Sequence, residues 1–122
     1  MTEGKRILLG LHDGGDRVAY ARTLDNLGFT VSQADSLPSM IKQAQTQEHE
    51  FYVMDSNLGK SMDKDTSSAQ QVYDLVRERV EQGKAKFIAI SYNWDDLTPP
   101  EAEFTIMGKT DHYRNWRDLL RL

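Results

Sequence analysis

The stretch Phe51-Tyr52-Val53-Met54-Asp55 constrains the fold more than any other part of the chain. Four apolar residues run without interruption into an acid, and Ser56-Asn57-Leu58-Gly59 turns away behind it. A short apolar run bounded by turn residues predicts a strand covered on both faces, the kind found inside a parallel sheet. An aspartate at the carboxyl end of such a strand stands where open α/β sheets gather their ligand chemistry. Asp55 is therefore the first candidate functional residue.

The flanking segments extend this pattern. Ile7-Leu8-Leu9-Gly10-Leu11 reads as a first buried strand, and His12-Asp13-Gly14-Gly15-Asp16 as a turn. Val18, Ala21, Leu24 and Leu27 recur at helical spacing, with Gly28 as the stop. Phe29-Thr30-Val31 opens a second strand. Ser36 is placed to cap a helix that tolerates Pro38 in its first turn and carries Met40, Ile41 and Ala44 as its apolar stripe. Beyond Asp55, the polar segment 59–68 is a long loop of the kind that is functional or mobile in compact domains. Ala69, Val72, Tyr73, Val76 and Val80 give the strongest helical periodicity in the chain, ended by Gly83. Phe87-Ile88-Ala89-Ile90-Ser91 predicts a fourth strand and Phe104-Thr105-Ile106-Met107 a fifth. Tyr113, Trp116, Leu119 and Leu120 predict a final amphipathic helix.

Strands alternating with helix-length crossovers imply an α/β fold: a doubly wound, five-stranded parallel sheet with helices on both faces. The length of 122 residues suits one domain, 1–122, with a core of its own. A net charge of −4 weighs against a nucleic-acid partner, because phosphate binding relies on clustered Lys and Arg. The absence of cysteine excludes disulfides and thiolate metal sites. No apolar run approaches the roughly 18 residues that would suggest a membrane span. The first residues lead into a strand rather than a secretory signal, so a cytoplasmic location is expected.

In a doubly wound sheet the carboxyl ends of the strands converge on one edge. Asp55, Ser91 and, just past Gly108, Lys109 all fall there, and the loop after the first strand adds His12, Asp13 and Asp16. This order of residues on these strands resembles the receiver domain of two-component response regulators, with a flavodoxin-like topology of the chemotaxis-regulator kind. The family signature is an acidic pair after the first strand, an aspartate ending the third, Ser or Thr ending the fourth, and Lys ending the fifth. The resemblance implies that Asp55 accepts a phosphoryl group from a histidine kinase or phosphotransfer protein. It further implies that Mg²⁺ is held by Asp55 and the backbone carbonyl of Asn57, with Asp13 or His12 as further candidates. Lys109 would pair with the phosphoryl group and Ser91 would hydrogen-bond it. Output would pass to a downstream protein partner, with no membrane or nucleic acid involved. Such a chain takes part in its own phosphotransfer and is not a turnover enzyme.

The sequence departs from the family pattern at several points. Counting back from Leu27-Gly28-Phe29, the acidic pair falls on Leu11-His12, or on His12-Asp13 if the loop slips by one, so at least one acid is missing. Tyr92 follows Ser91 where a small residue is usual, and either covers the acceptor or packs outward. Ser91 to Lys109 spans only 18 positions, which implies a shortened fourth helix. Thr110 follows Lys109 in place of proline, and Ile106 stands where an aromatic switch residue is common. A pseudo-receiver, acting as a phosphorylation-independent interaction module on the same fold, is the alternative.

Other motifs carry less. Gly59-Lys60-Ser61 and Gly108-Lys109-Thr110 look like the tail of a phosphate-binding loop, but Met54 and Glu103 stand where its first glycine is required. His49 and His112 sit in polar company and read as surface residues. Tyr113 and Trp116 read as core anchors, and Trp94 as an exposed contact.

Overall fold

The computed structural model describes residues 5–55, 67–91 and 105–108. The chain runs β1 (Arg6–Gly10), α1 (Gly14–Asn26), β2 (Thr30–Ala34), α2 (Leu37–Thr46), β3 (Phe51–Asp55), α3 (Ser67–Glu81), β4 (Lys86–Ser91) and β5 (Thr105–Gly108). The strands form one sheet in the order β2-β1-β3-β4-β5, and every neighbouring pair is parallel. Of the loop expected over 59–68, Ser67 and Ser68 instead open α3, while 59–66, Tyr92, Trp94 and the segments expected to form a shortened fourth helix and a final helix lie outside the described residues.

Each central strand divides its side chains between two cores, because successive residues of a strand point to opposite faces. Leu8, Tyr52, Met54, Phe87 and Ala89 face α2 and α3, where Met40, Val72, Tyr73 and Val76 complete the packing. Ile7, Leu9, Phe51, Val53, Ile88 and Ile90 belong to a second core with Tyr20, Ala21 and Leu24 of α1. This two-sided burial is why β3 reads as an unbroken apolar run rather than an alternating one.

Local chemistry sets the helix ends. Ser36 caps α2 by accepting a hydrogen bond from the Ser39 N–H, with Pro38 in the first turn. α1 ends in a Schellman motif at Gly28, whose φ of 98° is costly for any residue with a side chain. The Phe29 N–H donates to the Leu24 carbonyl and the Gly28 N–H to that of Asp25, while Phe29 and Leu24 share the second core. α3 closes in the same way at Gly83.

Two expectations are corrected. Val18 is 51% exposed, and Tyr20 takes its place in the buried stripe with Ala21 and Leu24. Tyr20 and Leu24 are one helical turn apart and meet the sheet together, whereas Val18 lies about 200° around the helix from Tyr20. His49 is fully buried instead of lying at the surface. The connection from α2 to β3 folds inward, so the ring packs edge-on against Tyr52, centroids 5.6 Å apart.

Candidate functional site

From β1 the chain passes to β2 on one side, and then returns to place β3 on the other. That reversal opens a crevice beyond the carboxyl ends of β1 and β3, the place where doubly wound sheets bind their ligands. Asp55 is the last residue of β3 and half-buried, so its carboxylate stands at this crevice with access to solvent.

The partner strands bring further groups to the same edge. Gly10 pairs in register with Met54, which places the chain leaving β1 beside Asp55. The His12 N–H donates to Asp55 Oδ2 at 2.8 Å. A backbone donor on a carboxylate fixes its orientation. On the other side Asp55 is in register with Ile90, so Ser91, one residue further, ends β4 at the same edge. Ser91 is itself in register with Gly108, the last residue of β5. Asn57 and Lys109 lie outside the described residues.

The loop after β1 has a definite architecture. Leu11 is fully buried in the core shared with α1, and its N–H bonds to the Ala34 carbonyl of β2 at 3.2 Å. Of the two placements of the acidic pair, the one on Leu11-His12 therefore puts its first position inside the core. His12 meets Asp55 through its backbone, and its side chain is exposed. Asp13 is the N-cap of α1 and accepts from the Asp16 N–H at 2.9 Å. A Cβ added at Gly15 would stand 3.3 Å from Asp13 Oδ1, so a glycine there leaves the capping carboxylate room. Asp16 is half-buried in the first turn of α1. Among the described residues no three His, Cys, Asp or Glu side chains gather as a ready metal site.

Two contributors carried no sequence signal. The His12 amide is a backbone donor, and backbone donors leave no trace in residue type. Arg17 donates from Nη1 to the Leu11 carbonyl at 2.9 Å, bracing the loop that presents that amide. Its position one turn into α1 looks like an ordinary solvated helix face.

No family model matches the chain, and no curated protein matches it in sequence. Solved structures do match in fold. One is a response regulator from Burkholderia pseudomallei with a phosphorylated aspartic acid, a calcium ion and citrate. It is 20% identical with a TM-score of 0.69, and the match covers 96% of this chain and 66% of that one. A response regulator from Thermotoga maritima in complex with Mg²⁺ and BeF is 19% identical with a TM-score of 0.67, covering 96% of this chain and 99% of that one. The receiver domain of a sensor histidine kinase from Pseudomonas aeruginosa, with magnesium in its active site cleft, is 17% identical with a TM-score of 0.71. That match covers 96% of this chain and 94% of the other. The architecture of this chain, a five-stranded doubly wound parallel sheet, is that of response-regulator receiver domains.

Proposed function

We propose that the chain, as a single domain over 1–122, is a phosphoryl-accepting receiver of two-component signalling with Asp55 as the acceptor. The observation that carries this reading is the Asp55 carboxylate itself. It stands half-buried at the topological switch point, oriented by the His12 amide at 2.8 Å. A carboxylate oxygen of Asp55 attacks the phosphorus of a phosphohistidine on a kinase or phosphotransfer protein. The new P–O bond forms as the P–N bond breaks, and the departing imidazole nitrogen keeps the electron pair and takes up a proton. Ser91, at the end of β4, and Lys109, immediately after β5, are the proposed hydrogen-bond donor and cation for the phosphoryl oxygens. The chain is consumed and regenerated as a signal carrier, and a downstream protein partner reads its state.

Mg²⁺ is the proposed cofactor, and the donor chemistry fits it. Mg²⁺ prefers hard oxygen ligands and is commonly held by one or two carboxylates together with waters and substrate phosphate oxygens. Asp55 supplies one carboxylate, Asp13 or Asp16 a second, and the Asn57 carbonyl a further oxygen. The capping bond of Asp13 uses one acceptor site of a group that has about four. The bound ion would screen the repulsion between the acceptor carboxylate and the incoming phosphoryl group. Relatives of the same fold hold Mg²⁺ or Ca²⁺, which supports this assignment.

A second reading, a pseudo-receiver that binds partners without phosphorylation, is favoured by one observation. Leu11 is locked in the core and His12 is not an acid, which leaves the first loop short of the family's acidic pair. The two readings separate on exposure to acetyl phosphate with Mg²⁺. A phosphoryl adduct seen by intact mass and lost in Asp55→Asn supports the receiver, and no adduct at millimolar Mg²⁺ supports the pseudo-receiver.

A further inference from the structure

At the end of β3 opposite Asp55, the turn from α2 carries a group that the phosphoryl chemistry does not use. The His49 ring is fully buried, and neither Nδ1 nor Nε2 has a hydrogen-bond partner. Its backbone is held from two sides. The His49 N–H donates to the Tyr52 hydroxyl at 3.2 Å, and its carbonyl accepts from Arg79 Nη2 of α3 at 3.0 Å. Arg79 also pairs with Glu48 of the same turn, at 3.4 Å. Tyr52 in turn stacks on Phe87 of β4, with centroids 6.4 Å apart.

We propose that His49 is a proton-sensitive latch that holds the α2–β3 turn against α3 and opens on acidification. A neutral imidazole can stay in this enclosure. An imidazolium there would carry two charged donors with the Gln47 backbone carbonyl nearby to favour the proton, and that carbonyl offsets less than burial costs. The surrounding charges come from every element packed on the turn. Arg6 of β1 and Arg79 of α3 oppose the proton, while Glu50 favours it. Glu50 is itself tied down, its carboxylate accepting from the Arg6 N–H and its carbonyl from the Lys86 N–H of β4. Burial, the largest influence, holds His49 below its ordinary value of 6.5. The closed form thus binds the proton less readily than any form with the ring in water. The latch is fully stable above about pH 6.5 and weakens as the pH falls from there toward the lowered value.

Bringing the ring into water moves the turn that carries it, and the backbone bonds of His49 to Tyr52 and Arg79 open with that movement. A groove of about 390 Å³ already flanks the turn, lined by Gln47, Glu48, Tyr52, Val76 and Arg79 and by Leu75, so there is room for the turn to move. The proposal is independent of phosphoryl transfer at Asp55.

The test is an NMR titration of the histidine ring protons of the whole chain, with amide exchange protection followed over the same pH range. His49 is expected to titrate below the ordinary histidine value of 6.5, and protection of the His49 amide to fall about tenfold within one unit below it. His49→Phe and His49→Gln, each checked for folding by circular dichroism, are expected to keep flat protection through that window. Titration of His49 at the ordinary value, or the same acid-dependent loss in whichever variant folds, overturns the proposal.

Discussion

The two ends of β3 differ in a way that explains how one strand serves both stability and chemistry. At the entry end, Phe51 and Tyr52 are sealed on both faces, and the turn before them tucks His49 inside. At the exit end, Asp55 is half-exposed and held by the amide of a neighbouring loop. The asymmetry follows from parallel connectivity. Every crossover helix returns the chain to the amino edge of the sheet, where the loops close over it, and the switch of direction at β1 and β3 leaves a crevice at the carboxyl edge. The entry end is built from apolar contact, and the exit end presents a carboxylate that solvent reaches.

The largest effect should come from the sealed end. Tyr52→Ala removes a fully buried ring that packs on His49 and Phe87. It is expected to cost about 3–5 kcal/mol in urea unfolding, through lost burial and the cavity left behind. A loss below about 1 kcal/mol would break the comparison, because the entry end would then not be a rigid core. Gly83→Ala comes next, at about 1–2 kcal/mol. Nothing lies within 4 Å of the added methyl, so the cost is that of the left-handed backbone alone.

At the open end, Asp13→Ala should cost about 1 kcal/mol of stability as a lost helix cap. Its effect on phosphoryl loading sharpens the functional question. Unchanged Mg²⁺ dependence of loading assigns Asp13 to the cap alone, and a raised Mg²⁺ requirement assigns it to the ion as well. Asp55→Asn should have the smallest effect on stability, within about 1 kcal/mol, since the amide oxygen can still accept from His12. If it cost as much as Tyr52→Ala, Asp55 would be a structural residue.

Much of this architecture was legible in the residues. The continuous apolar runs at 7–11, 51–54 and 87–90 mark strands buried on two faces, and all three lie in the sheet. Ser36 and the two glycine stops announce helix ends through local chemistry that needs no tertiary information. The position of Asp55 followed from the same logic. What stayed hidden depends on how segments meet. His49 lies among Gln47, Glu48 and Glu50, a polar setting that conceals a turn folded inward onto Tyr52. Val18 and Tyr20 both suit a helix, and only the docking of α1 on the sheet decides which is covered. The His12 amide was invisible for a different reason, since any residue could supply it.

The most direct measurement is beryllofluoride binding with Mg²⁺, followed by amide NMR in the wild type and in Asp55→Asn. The receiver assignment predicts saturable shifts centred on 10–13 and 55, reaching Ser91, that disappear in the variant. Unchanged spectra at millimolar Mg²⁺, or shifts that survive in Asp55→Asn, would contradict it.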